Sequence, residues 1–122
     1  MTKRARLQGE LESLVLDALW VAEAGDGALT SQQVLEIVSP DGELALTTIL
    51  TVLSRLVDKE LVVRKPGEGR QLLFSAAQSR ARHTADLMLK IVTDAENPAL
   101  TFSHFASGLT AADLKALRDS LA

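Results

Sequence analysis

Residues 44–77 constrain this chain more than any other stretch, because an amphipathic helical pattern runs straight into a basic hairpin pattern. Ile49, Val52, Leu53 and Leu56 recur at the three-and-four spacing of a buried helical stripe, and Thr47, Thr48, Thr51 and Arg55 fall on the opposite side. Such a helix is held to a core by its back and shows hydroxyls and a guanidinium at its front. Directly afterwards, Leu61-Val62-Val63-Arg64-Lys65 and Arg70-Gln71-Leu72-Leu73-Phe74 flank Pro66-Gly67-Glu68-Gly69. That is the pattern of two strands joined by a four-residue loop containing glycine.

Two shorter helical patterns precede this pair. Gly9-Glu10-Leu11-Glu12 opens a helix with Leu11, Leu14, Val15, Ala18 and Leu19 on one side, ending near Trp20 before a Gly25-Asp26-Gly27 turn. Trp20, closing that helix, is expected in the core. Thr30 or Ser31 caps a second helix through Val34, Leu35 and Val38, which Ser39-Pro40-Asp41-Gly42 stops. Thr47 is the natural cap of the third helix, with Ala45 and Leu46 as alternatives for its first turn. The order helix, helix, helix, hairpin predicts a winged helix-turn-helix domain over residues 1–77, whose third helix is the one free to enter a DNA major groove.

From about residue 78 the pattern changes. Ala81, Ala85, Met88, Leu89 and Val92 form one helical stripe and Leu87 and Ile91 another, too much apolar surface for the outside of a monomer. Asn97-Pro98 breaks this helix, Leu100, Phe102 and Phe105 mark a short further element, and Gly108 ends it. Thr110-Ala111-Ala112-Asp113 resembles a capping box with Asp in place of Glu, opening a last helix with Leu114, Leu117 and Leu121 in line. Residues 78–122 therefore read as a helical dimerisation region in which Leu87, Met88, Ile91, Leu100, Phe102, Phe105, Leu114, Leu117 and Leu121 meet a second copy around a two-fold axis. The fold class expected is mainly α with a small β-hairpin.

Composition narrows the chemistry. The 122 residues are 47% hydrophobic but only 3% aromatic, so the core must be aliphatic, and there is no cysteine to supply a disulfide, a thiolate ligand or a nucleophile. No stretch is apolar enough to span a membrane or serve as a signal-peptide core, which points to the cytoplasm without membrane insertion. His83 and His104 form no two-histidine helical motif, no glycine-rich phosphate loop is present, and no Ser-His-Asp set can be assigned to a pocket, so neither a metal, a cofactor nor catalysis is expected. A net charge of −3 speaks against a nucleic-acid partner, yet residues 55–82 hold seven Lys and Arg against three Asp and Glu. A basic face on an acidic body answers the objection.

Several blocks together resemble the penicillinase repressor family: Leu7-Gln8-Gly9-Glu10-Leu11-Glu12 with Val15 and Leu19-Trp20, then residues 47–56 with Lys59, then Gly69-Arg70 with Phe74, and His104-Phe105 through Leu109-Thr110. The resemblance covers nearly the whole chain. It implies a dimeric winged-helix repressor that binds a palindromic, TAC/GTA-type operator of β-lactamase or cell-wall-stress genes and contributes to antibiotic resistance. In the β-lactam-resistance branch, a membrane-bound sensor protease triggers cleavage at an Asn-Phe bond in the dimerisation region. The matching pair here is His104-Phe105, a departure at the first position. The copper-transport branch ends in a cysteine-rich hook that this sequence lacks.

The site expected on this reading is double-stranded DNA held by Thr47, Thr48, Thr51 and Arg55 in the groove, and by Arg64, Lys65 and Arg70 along the backbone. Other roles compete at several positions. Charged residues also blunt exposed hairpin edges. Thr30 and Ser31 serve as a cap or a phosphate contact, and Lys3, Arg4 and Arg6 as a phosphate-binding arm or a merely soluble start. Two rival functions are a winged-helix protein-interaction module and a regulator responding to an effector or metal through its carboxy-terminal helices.

Overall fold

The computed structural model describes residues 8–122 apart from Ala24 and Asp26. The expected arm at Lys3, Arg4 and Arg6 and the central residue of the Gly25-Asp26-Gly27 turn lie outside the described residues. The elements run α1 (Gln8–Glu23), α2 (Ser31–Val38), α3 (Leu46–Asp58), β1 (Val62–Pro66), β2 (Leu72–Ala76), α4 (Arg80–Thr93), α5 (Pro98–Gly108) and α6 (Ala111–Leu121). They divide into two compact units, one ending at Arg80 and the other running from Ala81 to Ala122.

In the first unit, α1, α2 and α3 enclose an aliphatic core. Val15, Leu16 and Leu19 of α1 meet Val34 of α2, the stripe Ile49, Val52, Leu53 and Leu56 of α3, and Val62, Phe74 and Ala76 of the hairpin. The four α3 residues are the ones the three-and-four spacing selects. Helix α1 runs a turn beyond Trp20, because Val21, Ala22 and Glu23 continue a helix without strain. It stops where the N–H groups of Gly25 and Gly27 both donate to the Ala22 carbonyl at 2.9 and 2.8 Å.

Helix α3 starts one residue before the expected cap. Ala45 is its N-cap and makes no side-chain capping bond, so Thr47 lies inside the first turn. Its other end is closed more tightly. The Glu60 N–H donates to the Val57 carbonyl and the Leu61 N–H to the Leu56 carbonyl, both at 2.9 Å, with Glu60 in the left-handed region at φ 64°. This is the double closure usually built on glycine.

The strands pair antiparallel with Val62 opposite Ala76 and Pro66 opposite Leu72. The second strand thus begins two residues later than the sequence pattern predicts. The turn covers residues 67–71, closed by Gly67 N–H to Gln71 C=O at 2.8 Å and opened to a left-handed residue at Gly69, φ 60°. Burial sets this register, because it brings Val62 opposite Ala76 with both inside, and Phe74 inward two residues before. A feature without sequence signal adds to the hairpin: Leu29 exchanges two backbone hydrogen bonds with Phe74, at 2.9 and 2.7 Å, forming an isolated bridge.

The second unit has its breaks and caps where expected. Asn97 accepts the Leu100 N–H at 3.1 Å with Pro98 in the first turn, and Thr110 accepts the Asp113 N–H at 3.0 Å. The element around Leu100, Phe102 and Phe105 is a full helix of 11 residues. None of the three helices buries a single residue. Among the described residues, no helix is long and apolar enough to cross a membrane.

Glu60 is exposed and bears the cost of a left-handed conformation. Glu60→Gly is expected to raise stability by about 1 kcal/mol, read as a higher urea midpoint at unchanged slope.

Candidate nucleic-acid interface

With its back consumed by the core, α3 has one face left. Thr47, Thr51 and Arg55 are exposed there and Thr48 is half-buried. The Thr51 hydroxyl donates to the Thr47 carbonyl at 2.9 Å, so its proton is committed to the helix and its oxygen lone pairs and methyl remain for a partner. Two further residues share this face. Ser54 is exposed, and so is Leu50, at 41%. Projecting the helix at 100° per residue places both outside the buried stripe, a signal available in the sequence and passed over because Leu50 is apolar and Ser54 small.

The wing carries Arg64 and Lys65 on β1, both exposed. The register moves Arg70 from the expected strand into the turn, where it is also exposed. Among the described residues, none of Arg55, Arg64, Lys65 and Arg70 takes part in an ion pair. Other cations are engaged: Lys59 with Glu12 at 2.8 Å, Arg80 with Asp17 at 3.0 Å and Arg82 with Asp86 at 3.2 Å. Among the described residues, the cations of the first unit without an ion pair thus fall on the helix and hairpin that a winged helix turns toward DNA. A groove of about 260 Å³ joins the start of α2, the middle of α3 and the wing tip, lined by Thr30, Ser31, Leu50, Arg70, Gln71 and Leu72 among others.

Several sequence-selected residues prove architectural. Thr30 is the α2 cap: its hydroxyl accepts the Gln33 N–H at 3.1 Å while its own N–H donates to the Gln33 side chain at 2.9 Å. Trp20 packs on the core, donates its indole N–H to the Gln78 carbonyl at 2.9 Å and lies under the Arg80 guanidinium, 4.8 Å from the ring centroid. Lys59 and Glu12, distant in sequence, tie the end of α3 to α1.

What aims α3 is a turn the sequence reading treated only as a stop. Ser39 is buried; its hydroxyl donates to Asp41 Oδ1 at 3.0 Å and accepts the Leu44 N–H at 3.0 Å, while the Glu43 N–H donates to the same Asp41 oxygen at 3.1 Å. Gly42, at φ 75°, makes the reversal possible. The α2–α3 connection is therefore a latched turn and not a loose loop.

In the second unit, Leu87, Met88, Ile91, Leu100, Phe102, Phe105, Leu117 and Leu121 are exposed and Leu114 is half-buried. Met88, Ile91, Val92, Phe102 and Phe105 line an apolar groove of about 230 Å³ between α4 and α5. His104 and Phe105 are both exposed on α5. Among the described residues there is no group of three or more His, Cys, Asp or Glu able to hold a metal ion.

Three helices, a latched turn, an exposed hydroxyl-and-arginine face and a basic wing define a winged-helix transcriptional regulator. The penicillinase repressor family model matches residues 8–122, and the chain belongs to that family. It is a DNA-binding transcriptional repressor, not an enzyme. Over 125 residues, covering 100% of this chain and 87% of the relative, it is 34% identical to the transcriptional regulator BlaI of Mycobacterium tuberculosis, in both the CDC 1551 / Oshkosh and the ATCC 25618 / H37Rv strains. Among solved structures it is similar to Lactococcus lactis ZitR, a zinc-responsive MarR family member, at 16% identity and a TM-score of 0.42, covering 98% of this chain and 74% of that one.

Removing the latch tests its role. Ser39→Ala leaves the Leu44 N–H without its partner and is expected to cost about 1–3 kcal/mol in urea unfolding.

Proposed function

We propose that the chain acts in the cytoplasm as a homodimeric repressor of a palindromic operator, at promoters of β-lactamase or cell-wall-stress type genes connected with antibiotic resistance. Each subunit lays α3 in the major groove of one half-site, with Thr47, Thr48 and Thr51 contacting phosphates and base edges and Arg55 forking onto guanine. Arg64, Lys65 and Arg70 neutralise the flanking backbone. Residues 1–77 form the DNA-binding domain and residues 78–122 the dimerisation region. The observation that carries this reading is the set of four exposed cations of α3 and the wing that have no acidic partner among the described residues. Family membership says what such a face is for.

Pairing is supported by the second unit's composition of surface. Helices of 14, 11 and 11 residues with no buried side chain lack a core of their own. A second copy covering Leu87, Met88, Ile91, Leu100, Phe102, Phe105, Leu114, Leu117 and Leu121 supplies one. Two linked half-sites then bind far more tightly than one, so dissolving the dimer empties the operator. A membrane-bound sensor protease that leads to cleavage at His104-Phe105 is the matching route of relief, since an 11-residue helix cut in its middle keeps no continuous apolar stripe.

The test is gel-shift titration on duplexes selected from the source genome. Arg55→Ala is expected to weaken specific binding by about 1–3 kcal/mol and relax preference at one base pair. Lys65→Ala should weaken all sequences alike and lower the salt slope by about one. Unchanged affinity for the Arg55 variant contradicts the assignment.

A further inference from the structure

Leu50 is the one large apolar residue of α3 that is exposed. It is absent from the buried cluster and from the hydrophobic residues packed against it, and remains 41% exposed. Its helical neighbours on the outer face, Thr47, Thr51 and Ser54, are all exposed and polar. It also borders the groove shared with Ser31 at the start of α2 and with Arg70 and Gln71 at the wing tip. Leu50 is thus left outside the buried core, and it stands on the surface proposed to enter the major groove.

Among the groups displayed by base pairs in that groove, the C5-methyl of thymine is the apolar one. The edges of guanine, cytosine and adenine there are donors and acceptors, which an aliphatic side chain desolvates without replacing their hydrogen bonds. Leucine at this position therefore both rewards a methyl and penalises a bare polar edge. We propose that Leu50 is a specificity-determining residue that reads a thymine methyl in each half-site, a role resting on the operator-binding reading above. Arg70, exposed at the same groove, supplies the phosphate contact that would hold the backbone beside that base.

The experiment uses the full chain and its selected operator, with each thymine of one half-site replaced in turn by deoxyuridine, which removes the methyl and nothing else. At one thymine the wild type is expected to lose about fourfold in affinity, the fold-change that burying a single methyl-sized group gives. Leu50→Ala, a substitution at an exposed helical position, should bind the thymine and deoxyuridine duplexes equally there. Thr51→Ser, which keeps the hydroxyl and removes the competing side-chain methyl, should leave the discrimination intact. Discrimination that survives in Leu50→Ala, or disappears in Thr51→Ser, overturns the assignment, as does a wild type indifferent to every substitution. A wild type that retrieves no duplex at all overturns the operator-binding reading itself, and a separate result of strong binding without methyl sensitivity overturns only the role of Leu50.

Discussion

The first unit depends on one contact: the back of α3 sealed against α1, α2 and the hairpin. Ile49, Leu53 and Leu56 are completely buried and Val52 nearly so, meeting Val15, Leu19, Val34 and Phe74. Each aliphatic side chain taken from water contributes about 1.5–3 kcal/mol, so the stripe is a major stabilising feature of the first unit. It also decides the orientation of everything polar on the helix. A rotation of α3 by one residue would carry a threonine into the core and a core aliphatic into solvent, so the outward aim of Thr47, Thr51 and Arg55 follows from burial on the other side.

Polar contacts then lock what the core leaves free. An aliphatic core with little aromatic content is tolerant of sliding, because leucine and valine side chains repack at small cost. The Ser39–Asp41 latch fixes where α3 begins, and the Lys59–Glu12 pair together with the closure at Glu60 and Leu61 fixes where it ends. Trp20 holds the Gln78 carbonyl against α1. Charges spent on such links differ from those left over. Lys59 and Arg80 are consumed in architecture, whereas Arg55, Arg64, Lys65 and Arg70 make no ion pair among the described residues.

The two units solve stability differently. Among the described residues, the first buries twelve hydrophobic residues within itself. The second buries none and shows Ile91 at 69% and Leu121 at 78% exposure. Short helices depend on packing of their apolar faces for stability, which the proposed second copy would supply. That division suits the repressor mechanism we propose, in which a self-sufficient reading head joined to an assembly-dependent region would let the state of the assembly govern occupancy of DNA.

Much of this was legible from residue order alone. The period of Ile49, Val52, Leu53 and Leu56 marked both the helix and its free face, and Asn97-Pro98 and Thr110 marked helix boundaries. These are local signals, written within a turn or two of the residues concerned. The errors have a common origin. The α3 cap fell on Ala45 and not Thr47, since an adjoining latched turn substitutes for a side-chain cap. The wing register shifted because Phe74 and Ala76 must reach a core made by distant helices, which also drew Leu29 into a bridge. Local periodicity determined which residues face inward and which outward. The partners of each cation, the strand register and the aim of α3 were decided only by contacts between residues far apart in the chain, because packing against a shared core couples positions that no sequence window contains.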